Sequence, residues 1–402
     1  MREARPVLSA FSGAGGLDLG LERAGFQTLG CVEVNKNARA TLQHNRPAWR
    51  LLHPSDVVQA GKQLSPSELG LRRGDLAVLA AGPPCQPFSK AAQWSATART
   101  GMADDRGKTI HGLLDLVERF LPSVVFLENV AGFLRGADSA LPVIQHRLEE
   151  INRHSRTRYR LQHVVLDAAD YGVPQRRHRA IGIACRNGRV FQWPAPTHHD
   201  APMRCWDAIG EVAEPTLPCC TGKWTGLLRS IPEGRNYLWH TAVGGGEPLF
   251  GYRTRFWSFL LKLARDQPAW TLPASPGPST GPFHWDNRPL SVTERLLLQS
   301  FPTSWSLAGE PRSQVRLAGN ATPPLLAEVI GRALADQLFG MSPSTPLPTM
   351  LLSKAATVPP AAPLQPVPVA YLHLRGAHPA HPGAGRGPAP RRPHTPALEG
   401  AR

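Results

Sequence analysis

The sequence predicts an α/β protein built on a mostly parallel sheet, with a smaller irregular domain and a disordered C-terminal tail. Three observations carry this prediction. From Val7 to about Phe191, short apolar runs alternate with amphipathic stretches, the strand–helix–strand rhythm of a parallel sheet. Between about Trp193 and Pro289 that rhythm fails, and Pro, Gly, Trp and Arg dominate, as in Trp224, Trp239, Arg253, Arg255, Trp257 and Trp285. Beyond Met341 the chain is rich in Pro and Arg and poor in aromatic residues, a composition that buries too little surface to offset chain entropy. The expected domains are therefore 1–192, 193–287, a return to the first domain at 288–340, and a tail at 341–402.

In chain order, Val7-Leu8-Ser9-Ala10-Phe11 reads as the first strand, followed by a Gly-rich turn and a helix from about Leu17 to Ala24. Leu29 to Glu33 reads as a second strand that ends on a carboxylate. The continuous apolar run Leu76–Ala81, stopped by Gly82-Pro83-Pro84, suits a central strand buried on both faces that opens into a loop. Val124 to Glu128 repeats that design and also ends on a carboxylate. Ligands of open α/β sheets bind at the carboxyl ends of strands. The stretch Pro268–Leu272 reads as a return to the framework, which narrows the irregular domain's distinctive part to about 200–265. Helical patterns follow at Ser291–Gln299, with Ser291 or Thr293 as cap, and at Leu325–Leu338 after Pro323-Pro324.

Composition narrows the class of function. The 402 residues are 42% hydrophobic and 19% charged, ordinary for a globular chain, and no apolar run reaches the roughly 18 residues of a membrane span. The first residues lack the apolar stretch of a signal peptide, so a soluble cytoplasmic protein is the expectation. Cys31, Cys85, Cys185, Cys205, Cys219 and Cys220 include no CxxC pair, which argues against a disulfide framework or a zinc ribbon, and no metal is expected. With 45 Lys and Arg against 30 Asp and Glu, the net charge of +15 favours polyanionic partners, although Arg-rich composition alone also accounts for it.

Three motifs carry chemistry. Phe11-Ser12-Gly13-Ala14-Gly15-Gly16 lies between a strand and a helix, where glycines let a backbone approach a ligand closely. A dinucleotide fingerprint needs glycine at position 18, where Asp18 stands, and this weakens a nicotinamide reading. Glu33, about 20 residues on, is placed to accept from ribose hydroxyls or, more plainly, to cap a surface turn. In Gly82-Pro83-Pro84-Cys85-Gln86-Pro87-Phe88-Ser89, two prolines stiffen the backbone ahead of a thiol. Together with Glu128-Asn129-Val130 and Gln175-Arg176-Arg177-His178-Arg179, that thiol supplies a nucleophile, a proton donor and a cationic clamp.

These blocks, with Arg288–Pro302 and Gly319-Asn320-Ala321-Thr322-Pro323-Pro324, resemble in type and order those of the DNA (cytosine-5)-methyltransferases, over about residues 5–340. The resemblance implies a Rossmann-like domain that binds S-adenosyl-L-methionine, with a target-recognition domain at 193–287. It implies that Cys85 adds to C6 of a flipped-out cytosine, that Glu128 protonates or hydrogen-bonds N3, that Arg179 holds O2, and that Arg177 organises the same site. Phe11, Gly13, Gly15 and Gly16 would approach the methionine moiety of the cofactor, Glu33 its ribose and Asp56 its adenine, with Pro84 and Asn320 lining the pocket. Ser9-Ala10 stands where the family usually has Asp-Leu, and Ala321 where it commonly has Ser. The implied partner is double-stranded DNA, with room for a cognate restriction endonuclease acting on the same site, and the implied state is a cytoplasmic, nucleoid-associated monomer. A tRNA cytosine-5 methyltransferase of the same family and a nicotinamide-dependent oxidoreductase are the alternatives.

Overall fold

In the computed structural model, which describes residues 5–84, 105–134, 139–252, 257–342 and 345–376, the apolar runs assemble into one seven-stranded sheet. Its strands are β1 (Arg5–Ala10), β2 (Phe26–Val32), β3 (Arg50–Leu51), β4 (Val78–Ala81), β5 (Val124–Asn129), β6 (Gln162–Asp167) and β7 (His178–Cys185). The spatial order is β3-β2-β1-β4-β5-β7-β6. All pairs from β3 to β5 are parallel, whereas β7 runs antiparallel to both β5 and β6. The parallel order therefore reverses direction between β1 and β4, which opens a crevice at their carboxyl ends.

Alternate residues of the central strands feed two cores. Leu8, Leu79, Val125 and Leu127 face one apolar cluster, packed with α3 (Val57–Gln63), α4 (Asp105–Phe120) and α5 (Leu141–Ser155). Val7, Val78, Val124 and Phe126 face the other, packed with α1 (Gly16–Arg23) and α9 (Pro324–Phe339). Both faces are covered, so these strands read as continuous apolar runs. The α1 and α9 helices come into backbone contact at Gly20, where an added Cβ would sit 2.4 Å from the Pro324 carbonyl oxygen. The helix α2 (Lys36–Asn45) is capped by Asn35, and α7 (Val292–Leu297) opens with a full capping box between Ser291 and Glu294. The short α6 (Cys205–Ile209) and the helix α8 (Pro311–Asn320) complete the set of α-helices among the described residues.

Chain contacts divide the protein into two units. The first comprises 1–213, 266–275 and 291–358, and the second 214–265, 276–290 and 359–402. Residues 193–213 thus pack with the sheet, beyond the border expected near 193, because Tyr171 and Asp170 hold them: Tyr171 donates to the Pro194 carbonyl, and Asp170 accepts from the backbone of Thr197 and His198. The return at 268–272 is built by Ala269, which pairs with Gln175 and accepts from the Arg176 amide. The second unit is irregular, with a core of Leu227, Leu228, Ile231, Tyr237, Leu249, Phe250, Leu260 and Phe283.

The expectation of a disordered tail from 341 onward fails for residues 345–376. Glu328, fully buried in α9, accepts from the Thr349 amide at 2.6 Å and the Met350 amide at 3.0 Å. Ala355 donates to Asp207, and Leu374 is buried in the second unit. The anchoring residues are scattered among prolines with no period, so composition alone could not separate this segment from a solvated tail.

Candidate active site

The carboxyl ends of β1, β2 and β4 lead into the glycine turn, Glu33 and the Pro83-Pro84 segment respectively, and that of β5 carries Glu128. After β1 the chain turns through Phe11 at φ +59°, Gly13 at +56° and Gly15 at +81°, left-handed conformations that glycine adopts at little cost. Gly15 caps α1, and a Cβ on Gly16 would lie 2.0 Å from the carbonyl oxygen of Thr322. That contact seats the glycine turn directly on the 319–324 block, an approach that only glycine permits. Trp305 fixes the turn from another side by donating its indole N–H to the Ala14 carbonyl at 3.0 Å.

Glu33 follows β2 and is buried. Its Oε2 accepts from the Gly13 amide and its Oε1 from the Asn35 amide, both at 2.8 Å. A carboxylate has about four acceptor positions, so each oxygen retains capacity for a further donor such as a ribose hydroxyl. Asp56 caps α3 through Oδ1, which accepts from Val58 and Gln59 at 3.0 and 3.1 Å.

Beneath the turn lies Asp18, fully buried in the first turn of α1, where a hydrogen bond from Ser9 only partly offsets the cost of burying its carboxyl. The Ser9 hydroxyl beside it is engaged with that of Ser12 at 2.7 Å. Burial pushes the Asp18 carboxyl up to about 7 from an ordinary 3.8, and repulsion from Glu33 and Glu22 adds to this. A carboxyl raised in the folded state contributes stability that is full below its unfolded value and is lost as pH rises through about 7. The urea midpoint should therefore fall between about pH 5 and pH 8. The variant Asp18→Asn should flatten that decline, and an equal decline in the variant would mean that other groups cause it.

At the ends of β5 and β7, Arg179 Nε lies 2.8 Å from Glu128 Oε1, and the two side chains are only 10% and 7% exposed. The antiparallel register, which places Glu128 opposite Ile181 and Asn129 opposite Ala180, brings them together. Gly82 leaves β4 so that its Cβ would stand 3.5 Å from Glu128 Oε2 and 3.9 Å from the Phe11 carbonyl oxygen. Asn129 donates to the Pro83 carbonyl at 2.8 Å and so ties the Pro83-Pro84 segment to the end of β5. Pro84 is exposed there, and Cys85, the next residue, lies outside the described residues. Sequence reasoning singled out Glu128 but assigned nothing to Asn129 or Trp305; the Glu-Asn-Val block was the available signal for Asn129.

Arg177 is fully buried and points elsewhere. Its guanidinium donates to the carbonyls of Gly319 at 2.8 Å and Ala321 at 2.7 Å, and to Gln175 Oε1 at 3.3 Å. It is a positioning residue that clamps the 319–324 block, while Asn320, between those carbonyls, keeps an exposed side chain. Arg177→Met would strip both carbonyls of a buried partner, at about 1–3 kcal/mol each. A lowered urea midpoint is expected, and an unchanged one would show that the block is held without Arg177.

Three of the remaining cysteines are shut off from solvent. Cys31, Cys185 and Cys205 are buried, and burial raises the thiols of Cys31 and Cys185. Cys219 and Cys220 belong to the second unit. Among the described residues no helix is long and apolar enough to cross a membrane.

Comparison with known proteins bears on this site. The sequence profile of the family described as C-5 cytosine-specific DNA methylase matches residues 6–336. A type II methyltransferase of Streptomyces achromogenes, M.SacI, is 31% identical over 383 residues, which cover 84% of this chain and 94% of that protein. M.Eco47II of Escherichia coli, also a type II methyltransferase, is 30% identical over 83% of this chain and 79% of its own length. Among solved structures, a DNA modification methyltransferase encoded within an Escherichia coli prophage and described as putative aligns with a TM-score of 0.57 at 19% identity, covering 84% of this chain and 100% of that one. The DNMT2 of Spodoptera frugiperda aligns with the same score at 17% identity over 82% of this chain and 99% of that one, a likeness of fold.

Proposed function

Because the chain belongs to the C-5 cytosine-specific DNA methylase family, we propose that Cys85, Glu128 and Arg179 carry its chemistry, with Glu128 at the carboxyl end of β5 and Arg179 at the amino end of the antiparallel β7. The protein methylates C5 of cytosine in double-stranded DNA, with S-adenosyl-L-methionine as methyl donor. The observation that supports these assignments best is the buried Glu128–Arg179 pair beside the Pro83-Pro84 segment that leads into Cys85. The surroundings of Cys31 and Cys185 support the same choice, since burial keeps a thiol protonated and inert.

Cytosine C5 is a poor nucleophile until C6 has accepted an electron pair. In this reading the Cys85 thiolate forms a bond to C6 while Glu128 delivers or shares a proton at N3, so the ring's electrons collect at C5 as an enamine. Arg179, held against Glu128, fixes that carboxyl and reaches the base at O2. The cofactor supplies an electrophilic methyl group. Once C5 carries the methyl group, loss of the C5 proton to a base returns its electrons to the ring, C5=C6 re-forms as the thiolate leaves, and the N3 proton passes back to Glu128. C5 and C6 are closed off in a stacked duplex, so the target nucleotide has to be rotated out.

The residues around the β1–β4 crevice fit the cofactor. Gly13 leaves open space where a Cβ would stand, its nearest neighbour being the Phe11 carbonyl oxygen at 3.9 Å, and Glu33 presents spare acceptor capacity beside it, while Gly15 and Gly16 let the turn pack closely on Leu42, Trp305 and Thr322. Phe11, Gly13, Gly15 and Gly16 would approach the methionine moiety, Glu33 the ribose and Asp56 the adenine, with Pro84 and Asn320 at the border. The second unit, which carries Trp224, Trp239, Arg235 and Trp257, is proposed to read the target sequence. Arg253 and Arg255, which the sequence places within the irregular domain, lie outside the described residues. A nucleoid-associated cytoplasmic monomer, paired with an endonuclease of the same target, is the cellular setting this reading proposes.

Bisulfite sequencing of DNA from cells that express the chain tests the activity and reveals the target. Methylated cytosines confined to one short motif are the expected result. Unmodified DNA, with the protein folded and cofactor bound, would refute the proposed site.

A further inference from the structure

We propose that residues 359–376, beyond the segment shared with the family, are an integral part of the second unit and set its capacity to discriminate DNA sequences. This rests on the reading of that unit as the one that recognises the target. The family match ends at residue 336, yet the chain continues into the second unit and completes its core.

The segment is held at successive points along the unit. Arg265 donates to the Pro360 carbonyl at 2.7 Å, and the Gln365 amide donates to the Arg229 carbonyl at 3.1 Å. A turn of 3-10 helix, Val369–Leu374, then brings in two side chains. Leu374 is 7% exposed within the cluster of Leu227, Leu228, Ile231 and Phe250, against which Val367 also packs. Tyr371 lies with its ring 6.2 Å from that of Trp224 and donates its hydroxyl to the Lys223 carbonyl at 2.7 Å. An added Cβ on Gly226 would meet the Tyr371 hydroxyl at 2.7 Å, so the chain at 223–227 is shaped to receive this tyrosine. Arg375 closes the segment with a two-pronged pair to Glu247, whose carbonyl lies 3.0 Å from the buried His240 ring.

These contacts matter because the unit contains little regular structure. Its described part holds only short 3-10 turns and isolated bridges, so few of its backbone bonds support one another in a ladder. Side-chain packing must hold the loops instead, and an arginine or aromatic group reads a base edge only if its backbone is fixed. Glu247 belongs to the loop between Thr241 and Phe250, which presents Val243 at 61% exposure. Loss of the segment would leave electrostatic attraction to phosphates in place while removing the fixed geometry on which base readout depends.

The test compares the full chain with a chain ended after Val358, and with Leu374→Asp and Tyr371→Phe, the last removing only one hydroxyl. Hydrogen exchange at 227–231 and 249–250, binding of S-adenosyl-L-methionine, and affinity for target and scrambled duplexes would be measured in each. Truncation and Leu374→Asp should speed exchange at those amides and bring target affinity toward the non-specific level, roughly a thousandfold weaker. Cofactor affinity should stay unchanged, and Tyr371→Phe should show the same effects in smaller measure. Unaltered exchange in the truncated chain would overturn the proposal while leaving the recognition reading intact. Faster exchange with undiminished target preference would instead remove the recognition role of the second unit, and the proposal with it.

Discussion

Replacing Cys85 with serine should abolish methyl transfer, with a loss on the order of 10⁶-fold of the kind seen when other nucleophilic enzymes lose their nucleophile. Serine keeps the size and polarity of the side chain. Its hydroxyl, however, does not ionise near neutral pH, and an alkoxide does not form without a dedicated base. Cofactor binding should survive, because the cradle is formed by the turn after β1 and by Glu33, which hold their shape through Thr322, Trp305 and the backbone of Gly13. The direct check is a duplex with 5-fluorocytosine at the target. Once C6 carries the thiolate and C5 the methyl group, fluorine cannot depart as a cation, and the adduct persists through denaturation. The parent protein should form that complex only when S-adenosyl-L-methionine is present, and Cys85→Ser should form none. A persistent adduct in the variant would assign the nucleophile to a different cysteine.

Glu128→Gln should lower the methyl-transfer rate by about 10²- to 10⁴-fold, the range of a positioned general acid. The amide can still hydrogen-bond N3 but cannot hand over a proton, so the variant separates orientation from proton transfer. Arg179 would lose its charged partner in a site where both side chains are nearly buried, and some loss of stability is expected as well. Unfolding by urea therefore has to accompany the kinetics. The expected pattern is a large fall in turnover at saturating DNA with cofactor affinity unchanged. Matching losses in turnover and cofactor affinity would instead make Glu128 a residue that merely holds the sheet edge together.

Much of this site was legible in the chain because the determining interactions are local. Gly13 and Gly15 adopt φ values that exclude most side chains, Gly16 lies too close to Thr322 to carry one, and the apolar runs that precede Glu33, Gly82 and Glu128 end where the strands end. Ser291 and Glu294 form a reciprocal cap over three residues, a feature readable from spacing alone. Strand β7 shows where such reading stops. His178–Cys185 is buried almost throughout, and a run buried on both faces looks the same whether it pairs parallel or antiparallel. Only the folded sheet decides that β7 runs against β5, and this direction places Arg179 on Glu128.

The sequence by itself pointed to the family through the resemblance of its motif blocks, and to the α/β class and the crevice at the strand ends through short-range patterns of apolar periodicity and turn chemistry. Tertiary structure decided which of the arginines faces the carboxylate. Arg177 and Arg179 are two residues apart in an indistinguishable motif, yet Arg177 clamps carbonyls 142 and 144 residues further along the chain. It also decided the fate of residues 345–376, whose Met350, Tyr371 and Leu374 are too sparse to announce a core. Composition averages over a segment, whereas burial depends on the few side chains that meet a complementary surface. Those surfaces, around Glu328 in one unit and around Trp224 and Phe250 in the other, exist only once the distant parts of the chain have come together.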